Sequence, residues 1–119
     1  MQQLDHKKMV QRLTEGRPTV LMICATNCAP CQSAERTLKK LEETHQSIDF
    51  IKIDIKDVDN GFLHLRNIRS APTVMTFAYG MEENRVTGDD ESRIERVVFE
   101  LAEATDYDAD EEIACEACQ

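Results

Sequence analysis

With 119 residues, 41% of them hydrophobic and 31% charged, the chain has room for one domain with its own core and not for two. Its longest apolar run, Val20 to Ala25, is far short of the roughly 20 residues that a membrane-spanning helix needs, and Met1 to Lys8 lack the charged-then-apolar layout of a secretory signal, so a cytoplasmic location is expected. A net charge of −9 argues against a binder of nucleic-acid backbones, and Asp106, Asp108, Asp110, Glu111, Glu112 and Glu116 crowd into residues 106–119 without a base, which leaves the rest nearly balanced.

Met9, Val10 and Leu13 form a short helical stripe that closes near Gly16 and Pro18. Thr19 to Ala25 is a continuous apolar run with β-branched members, as in a strand covered on both faces and therefore central. Next, Cys31, Ala34, Leu38 and Leu41 recur at helical spacing, with Glu35, Arg36, Lys39 and Lys40 mostly on the other side and Pro30 in the first turn. Ile48 to Ile55 alternates as a second strand, and Asp57 to Asn60 caps a short helix carrying Phe62, Leu63 and Leu65. A third strand is expected over Thr73 to Tyr79, followed by a hairpin turn at Gly80 to Asn84 and a short fourth strand around Arg85 to Thr87. Ile94, Val97, Val98, Leu101 and Ala102 mark the last helix, introduced by Gly88, Asp89 and Asp90. After Thr105 too little apolar surface remains to offset an ordering cost of about 1–2 kcal/mol per residue. A domain over residues 1–105 and a mobile acidic tail over 106–119 are expected.

Five cysteines in a chain expected to stay in the cytoplasm point to metal or redox chemistry before a structural disulfide framework. Cys28-Ala29-Pro30-Cys31 follows a strand and opens a helix. A thiol at that place has its thiolate stabilised by unpaired backbone N–H groups and the helix dipole, which favours Cys28 as the nucleophile. Two intervening residues put Cys31 one turn on, placed to attack a mixed disulfide and release the reduced substrate. Pro30 stiffens the turn between the two sulfurs. Cys24, inside the central strand, is expected to be packing. Met22, Phe50, Met75 and Phe77 are expected in the core, and His6, His45 and His64 lie in separate segments as surface or helix-end residues.

With Ala71-Pro72-Thr73 opening a later strand, the chain resembles the thioredoxin family over residues 6–105, through Cys28, Ala29, Pro30, Cys31, Asp54, Pro72, Thr73 and the order of elements. The resemblance implies a mixed α/β sheet of four strands, or five, flanked by helices. It also implies a cis Pro72 facing the cysteines and a substrate surface made by Asn27, Ala29, Pro30, Ala71, Pro72 and Thr73. No cofactor is implied. The implied partners are disulfide-containing client proteins, such as a ribonucleotide reductase or a peroxidase, and an upstream reductase, with the chain itself a monomer. Three departures stand out. Asn27 occupies the place of the family's tryptophan. Met22 replaces a buried aspartate that helps move the resolving thiol's proton. The lysine that accompanies this aspartate matches near Ser47 by one alignment and Phe50 by another. Residues 1–5 look too short for the family's first strand.

Cys115-Glu116-Ala117-Cys118 repeats the Cys-x-x-Cys spacing in the tail. The ten steps from Thr105 to Cys115 stretch to roughly 33 Å at about 3.3 Å per residue, enough for a relay to the first pair. The two other readings are a redox-inert adaptor that binds partners through the tail and the Asn27 face, and a zinc module holding the metal with four cysteines.

Overall fold

The computed structural model describes the backbone of residues 1–118 and the side chains of residues 1–105. Its elements run β1 (Gln2–Gln3), α1 (His6–Thr14), β2 (Thr19–Cys24), α2 (Ala29–Thr44), β3 (Asp49–Asp54), α3 (Asn60–Leu65), β4 (Thr73–Ala78), β5 (Met81–Thr87) and α4 (Glu91–Cys118). The expected mobility of 106–119 falls on positions whose side chains lie outside the described residues.

One mixed sheet holds the fold together, in the order β1-β3-β2-β4-β5. β2 lies at its centre, parallel to β3 and antiparallel to β4. The parallel pair needs a long crossover, which α2 supplies. Successive side chains of a strand point to opposite faces. Val20 and Met22 therefore face Ala34 and Leu38 of α2 and Ile94, Val98 and Leu101 of α4. Leu21 and Ile23 join Met9 and Leu13 of α1, Ile51 and Ile53 of β3, and Phe77 on the other side. This double burial is what the unbroken apolar run of β2 encodes.

The sheet has five strands, not four. Gln2 and Gln3 pair in parallel with Ile51 and Lys52, and the Leu4 N–H continues the ladder to the Lys52 carbonyl. Arg12 ties this edge down by bonding Gln2 Oε1 and Asp49 Oδ2. Two residues are too few to show any period, so the strand is set by its neighbours. The hairpin also differs from expectation. It turns at Tyr79-Gly80, with φ of 56° and 79°, and β5 begins at Met81. Two consecutive positive φ values are what a two-residue turn between twisted strands requires, and Gly80 meets that demand without strain. At the start of α4 the Asp90 carboxylate accepts from the Arg93 N–H at 3.3 Å, the cap expected of the Gly88-Asp89-Asp90 segment.

Candidate active site

Three chain segments meet at one end of the sheet: the loop after β2, the first turn of α2, and the loop before β4. Cys28 is the N-cap of α2, and its sulfur accepts the Cys31 N–H at 3.2 Å. The two cysteines are joined as a disulfide with their Cα atoms 5.2 Å apart, inside the ordinary range for such a bond. Cys28 is half-buried, whereas Cys31 is 4% exposed and its sulfur accepts the Ala25 N–H at 3.4 Å. An attacking reagent thus meets Cys28 first. Asn27, Ala29 and Pro30 are exposed around it. Asn27 has φ of 55°, in the left-handed region that asparagine tolerates better than bulkier side chains.

The Ala71-Pro72 peptide bond is cis. Pro72 is buried, and the Ala71 carbonyl oxygen lies 4.0 Å from Cys28 Sγ. The Gly88 N–H bonds the Pro72 carbonyl, and the Thr73 hydroxyl donates to the Ser70 carbonyl, which anchors this loop from both sides. The sequence-derived residues Asn27, Cys28, Ala29, Pro30, Cys31, Ala71, Pro72 and Thr73 therefore lie at the same end of the sheet, with direct approach between Cys28 and Ala71.

Sequence reasoning missed a charged pair that joins α2 to β3. Met22 is fully buried, and its register partner on β3 is Lys52, not Phe50 or Ser47. Lys52 Nζ donates to Glu35 Oε2 at 2.7 Å, and Lys39 Nζ lies 3.2 Å from the same oxygen. Glu35 was expected on the solvent side of α2, yet only 21% of its side chain is exposed. The available signal was the spacing itself, since residue 35 follows Cys31 by four and such pairs share a helix face. Asp54, the register partner of Cys24, accepts from the Lys56 N–H and from the Thr26 hydroxyl, and so ties β3 to the loop that carries Cys28.

Cys24 is free and half-buried, less enclosed than a core position, with its thiol 3.4 Å from the Ile53 carbonyl oxygen. Burial first, then the Asp54 charge, push its pKa up, which suits an unreactive thiol. Burial also pushes the Glu35 carboxyl up, but the hydrogen bonds from Lys52 and Lys39 outweigh it and hold the group below its ordinary value. A carboxyl depressed on folding adds stability above its unfolded pKa, and that contribution is lost as pH falls through the folded one. Between about pH 5 and pH 3 the urea midpoint is therefore expected to fall more steeply for the unsubstituted chain than for Glu35→Gln. Equal slopes would show that the pair adds nothing.

His6 accepts from the Asp59 N–H, His45 caps α2, and His64 is exposed near the end of α3. Among the described residues no three His, Cys, Asp or Glu side chains gather as a metal site, and no helix is long and apolar enough to cross a membrane. Cys115 and Cys118 lie outside the residues whose side chains are described.

The thioredoxin family model matches residues 1–100. A TPR repeat-containing thioredoxin of Oryza sativa is 33% identical over 83 residues, covering 70% of this chain but only 26% of that protein. Thioredoxin Asp f 29 of Aspergillus fumigatus is 28% identical over 97 residues, covering 79% of this chain and 87% of the relative. Among solved structures, oxidised thioredoxin from Plasmodium falciparum superposes with a TM-score of 0.77 at 18% identity, over 86% of this chain and 98% of that one. Its likeness shows the shared fold. With the family match spanning both the paired cysteines and the loop at Pro72, the chain belongs to the thioredoxin family.

Proposed function

We propose that the chain is a thiol–disulfide oxidoreductase that reduces disulfides in client proteins. Cys28 attacks, Cys31 resolves, and the Ala71-Pro72-Thr73 backbone receives an extended client segment whose flanks rest on Asn27, Ala29 and Pro30. The observation that carries this reading is the accessible sulfur at the mouth of α2, bonded to a buried neighbour one turn on. A reducing direction follows from the cytoplasmic location expected of the sequence, with an upstream reductase supplying electrons to a monomer. The test is reduction of insulin's interchain disulfides by the full chain with a small dithiol as electron source. A rate no better than the dithiol alone would leave the redox-inert adaptor as the standing reading.

We also propose that Cys115 and Cys118 exchange with Cys28. α4 starts beside the Pro72 loop, because the Gly88 N–H bonds the Pro72 carbonyl, and Phe99 lies with Leu41 and His45 near the far end of α2. At about 1.5 Å per residue, Thr105 is roughly 20 Å down the helix from Glu91. α4 runs as a helix to Cys118 and so carries the pair away from Cys28, which means that exchange within one molecule requires residues 106–118 to leave the helix and extend, and otherwise falls to a second molecule. In a Cys31→Ser chain whose tail pair has first been oxidised to a Cys115–Cys118 disulfide, the Cys28 thiolate is expected to break that bond, and mass mapping to find a disulfide from Cys28 to one of the two cysteines and a free thiol on the other. Its absence, under conditions where an external disulfide is trapped on Cys28, would overturn the relay.

A further inference from the structure

Resolution of a mixed disulfide requires Cys31 to lose its proton in a place almost closed to water, since the residue is 4% exposed. Met22, which stands on β2 where the family has its buried aspartate, has no ionisable group. The charged and titratable groups around it come from four elements. α2 contributes Glu35, one turn beyond Cys31, with Lys39 beside it. β3 contributes Lys52 and Asp54, and β2 contributes Cys24. α4 presents Glu95 and Arg96 farther along, against Leu41 and His45. Asp54 is occupied by the Lys56 N–H and the Thr26 hydroxyl. Cys24, its pKa raised by burial and then by Asp54, keeps its own proton near neutral pH and cannot take another. Glu35 is left. Its Oε2 accepts from Lys52 Nζ of β3 at 2.7 Å, no hydrogen bond among the described residues reaches its Oε1, only 21% of its side chain is exposed, and its place four residues after Cys31 puts the two on one face of α2.

Resting on the oxidoreductase reading above, we propose that Glu35, positioned by Lys52, accepts the Cys31 proton during resolution. In the first step the Cys28 thiolate attacks the client disulfide, forming a Cys28–client bond and expelling one client thiolate. In the second, the Cys31 S–H proton passes to the Glu35 carboxylate. The Cys31 sulfur then attacks Cys28 Sγ, the Cys28–client bond breaks, and the second client thiolate leaves. Glu35 returns its proton to that thiolate or to solvent. The client disulfide has gained two electrons, and the two cysteines have lost them. Lys52 is a positioning residue: it holds the carboxylate ionised and inward. Because it also holds that carboxyl below its ordinary value, the acceptor is weaker than one tuned to neutrality, and the expected gain falls below the 10²–10⁴-fold usual for positioned bases, about tenfold.

The experiment follows the Cys28–client mixed disulfide in the full chain by rapid acid quench and peptide mass mapping. Formation of the mixed disulfide is expected to match within about twofold between the unsubstituted chain and Glu35→Gln. Its decay in Glu35→Gln is expected to slow about tenfold near pH 7, and the gap to close as rising pH lets hydroxide take the proton. Glu35→Asp, which keeps the charge, is expected to recover most of the rate and guards against a folding defect in the glutamine variant. An unchanged decay, or one slowed equally at every pH and not recovered by aspartate, overturns the proposal. Failure of the unsubstituted chain to form any mixed disulfide at Cys28 overturns the oxidoreductase reading itself, and this inference with it.

Discussion

Replacing Cys28 by serine is expected to return insulin reduction to the level of the dithiol alone, a loss on the order of 10³-fold or more. The reason is chemical before it is structural. Exchange proceeds through a thiolate, and a serine hydroxyl neither ionises near neutral pH nor makes a bond to sulfur that a second thiol can displace. The geometry removes the fallback. Cys31 is 4% exposed and faces the Ala25 amide, so it does not meet an external disulfide in place of Cys28. Cys24 is half-buried with its thiol pushed toward the protonated form, and it is not offered either. Circular dichroism of the variant should match the unsubstituted chain, since the capping bond to the Cys31 N–H passes from sulfur to oxygen. Retention of more than about a tenth of the rate would place the nucleophile elsewhere.

Phe77→Ala is expected to have the largest effect on stability. The ring is 1% exposed on the α1 and α3 side of β4, packed with Met75, Leu21 and Met9, and the Arg66 guanidinium lies 5.4 Å from its centroid. Truncating a buried phenylalanine costs about 3–5 kcal/mol, because transfer energy is lost and a cavity is left. A domain of this size has only about 5–15 kcal/mol in total. A fall in melting temperature of more than about 10 °C follows. β4 begins immediately after Pro72, so loss of this strand takes the proposed client-binding edge with it. Well below its new midpoint, however, the variant should still form the Cys28–Cys31 bond, since neither cysteine belongs to the apolar cluster around Phe77. A shift of less than about 2 °C would mean that the inner face of β4 is far looser than its burial indicates.

The candidate site divides into a part legible in the chain and a part that was not. Cys28 and Cys31 were legible because their chemistry depends on local order, a strand followed by a helix mouth, and local order is written in adjacent residues. Pro72 was legible only through family likeness, since nothing in its neighbours specifies which loop faces the cysteines. Glu35 was misread as a solvent-facing residue. Helical periodicity ranks it with Arg36 and Lys39, and only β3, brought alongside by the crossover, turns it inward toward Lys52. The same limit explains β1. Gln2 and Gln3 have no apolar pattern, and their strand exists because β3 offers an open edge and Arg12 pins Gln2.

From the order of residues alone came the central strand, the amphipathic helices, the Cys28–Cys31 pair at a helix mouth and the anionic end of the chain, since each depends on spacing or composition within a short window. The folded structure decided which groups from distant segments come together: the fifth strand, the approach of Ala71 to Cys28, and the carboxylate–ammonium pair that joins α2 to β3. Those depend on strand register, where a shift of one residue turns every side chain to the opposite face, and register is set by packing of the whole sheet between its two helical layers.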